Sequence, residues 1–259
     1  HTRYWRDWSS DVCSSDLNKN YSPSYVFFEN RDGYNFVSLD FLYKQPKIAD
    51  FTFDNYVRDD RPLGGSIKNI EEDFKRILSI NIPNGIDYID RITSGVYGSR
   101  LWTHDIVSKK VSSKNFDMLK NFARQNHLNE FAAASKKVIY RYGSTVLVQP
   151  KYYNNQSNFG DTTNTAIYQE RISLLKQSES TKIEITVPGR CDYTVGKKVD
   201  IKLNKIEPVK KGDKKTLDNM FSGHYLISAI NHFITKEKHE CSLELIKDSL
   251  LVNLDGNKR

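Results

Sequence analysis

Two histidines near the end of the chain, His232 and His239, fall opposite one another if the residues between them turn back as a hairpin. Among His104, His127, His224, His232 and His239 they are the one pair close enough to share a metal, for which imidazole is a common ligand. No third donor stands out beside them, so a core or surface histidine pair, with no metal and no cofactor, is the expectation. Other candidates are weaker still. Leu63-Gly64-Gly65-Ser66 precedes a helical pattern and has the shape of an anion cradle, but it lacks the lysine and spacing of a phosphate loop and reads as an N-cap. Glu71, Glu72 and Asp73 are adjacent, so they splay around a helix instead of facing each other as an acid/base pair must. No G-x-S-x-G elbow, H-E-x-x-H, Walker loop or paired C-x-x-C occurs, and no catalytic residue is expected.

The histidine pair sits in a segment, Lys182 to Leu250, with a strong strand rhythm. Ile183, Ile185 and Val187 alternate with polar residues, as do Val199, Ile201, Leu203 and Cys241, Leu243, Leu245, the period of a half-buried strand. Tyr225 to Ile234 is apolar on both faces and slips phase near Ser228–Ile230, which predicts a central or bulged strand. Pro188-Gly189 and Gly196 mark sharp turns between the first two strands. The pattern predicts a small antiparallel sheet that closes on itself.

Upstream, SYVFFENRDGYNFVSLDFLYKQ (24–45) predicts a β-hairpin turning at Arg31-Asp32-Gly33 and running into a helical turn. Residues 48–65 read as irregular, and Ile67 to Ser79 as a helix carrying Ile70, Phe74, Ile77 and Leu78 on one face. Residues 95–112 look extended, and 112–126 look helical with Phe116, Leu119, Phe122 and Ala123 aligned. Residues 137–153 return to strand around a Gly143 turn, 156–164 form a polar loop, and Thr165 to Gln177 form a helix with Ile167, Tyr168, Ile172, Leu174 and Leu175 inward.

The first residues, HTRYWRDWSSDVCSSDL, have no periodicity and resemble a translated sequencing adapter, so His1 to Leu17 are set apart from fold reasoning like any fusion scar. The expectation that follows is a chain truncated at its front. Without that stretch there are 37 basic against 29 acidic residues, a balance of +8 spread as isolated lysines and arginines. The densest runs, at 109–110, 197–198 and 209–215, lack the interleaved aromatics of a nucleic-acid groove and read as solvated surface. No apolar run approaches membrane-spanning length, and no membrane partner is expected. Cys191 in a turn and Cys241 in a strand give no disulfide framework, which suits assembly in a reducing cytoplasm. The organisation expected is an adapter-derived segment at 1–17, a hairpin and helix part at 18–66, a middle mixed α/β domain at 67–160, a helix with the C-terminal barrel strands at 161–252, and a tail at 253–259.

The order helix, strand, VPGRCDYTVGKKVDIKL, polar linker, GHYLISAINHFI and HECSLELIKDSL resembles the baseplate hub proteins of contractile-tailed phages of the T-even type. The matching residues are Gly189 and Gly196 at the ends of a turn, Tyr225, Leu226, Ile227, Ile230, His232 and Ile234 along a strand, and Leu243, Glu244, Leu245, Lys247 and Asp248 in the closing strand. FFENRDGYNFVSLDFL (27–42) and GVYGSRLWTHDIV (95–107) look like further hub signatures. The resemblance implies a β-rich α+β fold, with antiparallel β-barrel domains of the tail-hub type and a few short helices. It also implies a homotrimeric ring in the virion baseplate, assembled in the host bacterial cytoplasm. Such a ring joins a central spike, or tail lysozyme protein, to the tail tube and tape-measure proteins, with DNA only in transit through its lumen. Two other classes stay open: a tail-associated peptidoglycan hydrolase, which needs a positioned carboxylate pair, and a small-barrel nucleic-acid binder, which the basic balance allows.

Overall fold

The computed structural model describes residues 24–53, 74–83, 88–105, 109–137, 145–151, 162–205 and 217–256. The four terminal strands form where alternation places them: β9 (Thr181–Pro188), β10 (Lys198–Leu203), β11 (Gly223–Ile234) and β12 (His239–Lys247). Two upstream strands, β3 (Lys47–Phe53) and β4 (Ser79–Asn81), complete a six-stranded sheet in the order β3-β10-β11-β12-β9-β4. Antiparallel pairing runs from β10 through β11, β12 and β9 to β4, whereas β3 lies parallel to β10.

The sheet closes. Thr52 in β3 donates its N–H to the Lys75 carbonyl at 2.8 Å and accepts from the Ile77 N–H at 3.0 Å, while the next residue, Leu78, donates to Thr186 of β9 at 2.8 Å. Residues 75–78 thus stitch the two ends of the sheet together, and no free edge remains at that seam. Phe51, Ile77, Ile185, Ile201, Tyr225 and Leu243 fill the interior among other apolar side chains. Burying each such side chain contributes roughly 1.5–3 kcal/mol.

The phase slip in β11 is a β-bulge between Ile227 and Ala229. Ser228 is the extra residue, and its hydroxyl donates to the Glu244 carboxylate at 2.8 Å. The bulge turns Ile230 and His232 onto the side already used by Tyr225 and Ile227, although the strand is exposed from Asn231 onward. The opposite face of the same strands is apolar for a separate reason. Leu226 and Ile246 pack there against Val26, Leu39, Leu42 and Tyr43.

Those last four residues belong to the predicted hairpin and helix, β1 (Tyr25–Asn30), β2 (Gly33–Ser38) and α1 (Leu39–Lys44). Asn30 pairs with Gly33 across an Arg31-Asp32 turn, and Gly33 takes φ +122° there, in a region glycine enters most readily. Ser38 caps α1 by accepting from the Phe41 N–H at 3.3 Å.

Beside the barrel, β5 (Gly98–Asp105) is flanked by antiparallel β6 (Val111–Asp117) and parallel β8 (Thr145–Lys151). A long helix, α4 (Thr162–Ser178), feeds directly into β9. Short elements fill the gaps: α2 (Tyr88–Thr93), α3 (Met118–Phe122), and the pair β7 (Phe131–Ala132) with β13 (Ser249–Leu250).

Four sequence readings need correction. Residues 47–53 are a barrel strand, not irregular chain; Asp50 sits among the apolar residues and breaks their run. Ile77 and Leu78 are not helical, because they carry the barrel seam; the expected helix over 67–73 lies outside the described residues. Over 112–126, the first six residues pair with β5 as strand, and helix begins only where the Asp117 carboxylate accepts from the Leu119 N–H at 3.0 Å. Lastly, α4 buries a polar row as well as Leu174: Gln169, Ser173 and Gln177 are nearly sealed, while Tyr168, Ile172 and Leu175 are only half-buried. Gln169 donates to the Ser99 carbonyl at 3.0 Å and Ser173 to the Val96 carbonyl at 2.6 Å, which fixes α4 to the β5 region by hydrogen bonds. The Gly143 turn, the 156–164 loop up to residue 161, and the Ile167 side chain lie outside the described residues.

Candidate functional site at the mouth of the barrel

Beyond the bulge, β11 and β12 run on to a turn closed by the Thr235 N–H donating to the Lys238 carbonyl at 2.9 Å. The register sets His232 directly across from Cys241 and Ile234 across from His239. His239 and Cys241 are two apart on one strand, so they share a face, and His232 joins them on it. Three donor atoms converge there. His232 Nδ1 lies 3.1 Å from His239 Nε2 and 3.1 Å from Cys241 Sγ, and Sγ lies 3.8 Å from His239 Nε2. Among the described residues this is the group of three whose side chains could hold a metal ion.

The Gly189–Gly196 turn packs against this cluster. Gly189 donates its N–H to the His239 carbonyl at 2.8 Å, and a Cβ on Gly189 would stand 2.2 Å from His239 Cγ. Glycine is required there by close approach. Cys241 is buried and His232 exposed, so the cluster faces from the barrel interior towards its end. Burial pushes the Cys241 thiol up, and a contact with the Arg190 carbonyl opposes that shift. Both described cysteines are free.

Gly196 has a different constraint. It takes φ +84°, and a Cβ would meet the Phe28 ring at 2.5 Å. Gly196→Ala is expected to lower stability by about 1–3 kcal/mol through strain and overpacking, measured by urea denaturation. An unchanged midpoint would contradict the role given to this turn.

The remaining motif residues lie elsewhere. Leu243 is core, and Glu244 binds Ser228 and Lys182 on the outer face, the latter at 2.8 Å. Tyr225 and Lys247 meet near the far end, where the Lys247 ammonium lies 4.8 Å over the Tyr225 ring. Asp248 accepts from His127 Nδ1 at 2.6 Å and from the Leu128 N–H at 3.1 Å. The structure therefore spreads the motif along the closing strands. Tyr225 and Lys247 come together at one end, while Gly189 and His232 both border His239 at the other.

His127, Glu170, Phe116 and Gln177 help line a small cavity beside α3, with room for roughly one water. Burial pushes the Glu170 carboxyl up, partly offset by Arg124, Lys114 and a hydrogen bond from Gln125. Cleavage of a glycosidic bond takes two carboxyl groups about 5–9.5 Å apart around a sugar. A space of this size does not admit one.

The sequence points to His232 and His239 but not to Cys241, which its spacing assigned to the strand core. The available signal was the H-x-C spacing of His239 and Cys241, together with a register that places His232 opposite the thiol.

No protein-family model matches the sequence. The chain is 24% identical over 264 aligned residues to the probable baseplate hub protein gp334 of Vibrio phage KVP40, covering 96% of this chain and 58% of that protein. The chain thus spans somewhat over half the length of that relative. Among solved structures, it is similar to the tail protein from Neisseria meningitidis MC58, at 11% identity and a TM-score of 0.38 over 80% of this chain and 45% of the other. It is also similar to the 43 kDa tail protein of prophage MuSo2 from Shewanella oneidensis, at 10% identity and a TM-score of 0.44 over 87% of this chain and 51% of the other.

Proposed function

We propose that this chain is a structural part of a phage baseplate hub, placed in the virion tail, where it forms a ring that joins the central spike to the tail tube. The observation that carries the proposal is the likeness to a hub protein along 96% of the chain, spanning hairpin, mixed segment and barrel together. The closed barrel supports it, because a sheet without a free seam is a rigid body suited to repeated assembly. So does the hairpin surface, where Tyr34, Phe36 and Phe41 are exposed although aromatic side chains favour interfaces. Among the described residues no helix is long and apolar enough to cross a membrane.

In this reading the ring is a homotrimer, and its neighbours are the spike with its lysozyme, the tail tube and the tape-measure protein. DNA passes only through its lumen during ejection. The chain's work is to hold these parts in register, not to catalyse. Light scattering on the product of the complete reading frame tests the ring directly. A mass three times the protomer, or a concentration-dependent approach to it, is expected; a strict monomer at high concentration contradicts it. Lysis of purified cell wall would favour the hydrolase reading instead. Salt-sensitive binding of single-stranded DNA would favour a nucleic-acid binder.

A further inference from the structure

The geometry points to a zinc-type metal site formed by His232, His239 and Cys241 at the mouth of the barrel. Two imidazole nitrogens and one thiolate are a donor set that suits zinc, and the ligand atoms already stand near the required spacing. Tetrahedral bonds of about 2.0–2.1 Å to nitrogen and 2.3 Å to sulfur set N···N near 3.3 Å and N···S near 3.5 Å. The observed edges are 3.1 Å between the nitrogens and 3.1 and 3.8 Å from nitrogen to sulfur. An ion needs only a few tenths of an ångström of adjustment from side chains on a paired, bulge-phased hairpin.

The backbone around the cluster is built to keep it. His232 and Cys241 are cross-strand partners, which fixes the separation of their Cβ atoms. Gly189 holds the His239 carbonyl and leaves its ring the only room available, since any Cβ there would overlap it. Three protein ligands leave one tetrahedral position open, and the exposure of His232 puts it towards solvent. All three ligands lie on the β11–β12 hairpin, so the ion would cross-link its two strands beside the turn that follows β9. This assignment does not depend on the hub reading, because it uses only residues of one barrel.

Cobalt(II) is the probe, since it takes zinc sites and reports thiolate ligation as a charge-transfer band in the near ultraviolet. The full chain, prepared without a histidine tag and dialysed against chelator, is expected to bind one equivalent with that band, and zinc should bleach it. Cys241→Ser should abolish the band, and His232→Ala, at an exposed position that leaves the fold intact by circular dichroism, should weaken binding at least tenfold. Gly189→Ala should weaken it as well, by displacing the His239 ring. Cys191→Ser should leave it unchanged. Zinc at about 100 times its dissociation constant should raise the melting temperature by roughly 5–10 °C. Absence of cobalt binding by the native chain, a band that survives Cys241→Ser, or one that is lost with Cys191→Ser would overturn the site.

Discussion

Replacing Asp248 with alanine lowers the free energy of unfolding by about 3–5 kcal/mol, because it leaves a buried polar cluster without its centre. Asp248 and His127 are both sealed, with side chains 2% and 7% exposed. One carboxylate oxygen meets His127 Nδ1 at 2.6 Å; the other accepts from the Leu128 N–H at 3.1 Å and the Ser249 hydroxyl at 2.7 Å. The second imidazole nitrogen lies 2.8 Å from the Phe122 carbonyl, and the ring stacks on Phe122 at 3.6 Å between centroids. Asn129 extends the same clamp, with its side-chain amide donating to the His224 and Ser249 carbonyls and accepting from the His224 N–H. One acid thus fastens residues 122–129 to the end of β12. Asp248→Ala, His127→Ala and the double variant form a cycle in urea denaturation, with an expected coupling of about 1–3 kcal/mol. Additive losses, or a loss below about 1 kcal/mol for Asp248→Ala, would show that the clamp carries little of the stability.

The second large effect is a pH dependence centred on Lys247. Its side chain is fully buried, donating to the carbonyls of Met220 at 2.6 Å and Ser222 at 3.1 Å. Burial pushes its pKa down to about 7, a shift that the charges of Asp218 and Asp248 only partly oppose. An unfolded lysine titrates near 10.4. Between about pH 7 and 10.4 the unfolded chain therefore holds a proton that the folded chain has released, so unfolding becomes harder as pH rises. The slope from this one group approaches about 1.4 kcal/mol per pH unit inside the window and vanishes below it. Lys247→Met removes that slope. Near pH 6 the variant is expected to be close to the native chain or more stable, since the native chain there keeps a buried charge. Parallel pH profiles for the two proteins between pH 7 and 10 would contradict the burial of a titrating ammonium.

The barrel was legible where alternation was clean. β9, β10 and β12 follow from Ile183, Val199 and Leu243 with their neighbours, and the bulge follows from the phase slip at Ser228. The two strands that close the barrel were not legible. β3 has its parallel partner about 150 residues away and Asp50 within it, while the seam at Ile77 follows residues whose spacing favours a helix. Neither local pattern records a long-range hydrogen bond. The polar face of α4 was hidden for a related reason: Gln169 and Ser173 look solvated until the Ser99 carbonyl in β5 and the Val96 carbonyl just before it accept from them. At the barrel mouth the histidines were visible as a pair, but the third donor emerged only from register. Lys247 and Asp248, matched as a motif, gave no sign in their spacing that both would be buried.

The claim that organises these observations is that the chain works as a structural element of a phage tail. Electron cryo-microscopy of intact virions that carry the gene tests this most directly. The account predicts density for the barrel, repeated around the tail axis between spike and tube, with the Tyr34 and Phe36 hairpin surface covered by a neighbouring subunit or partner. Virions whose baseplate and tail contain no copy of this chain would contradict it.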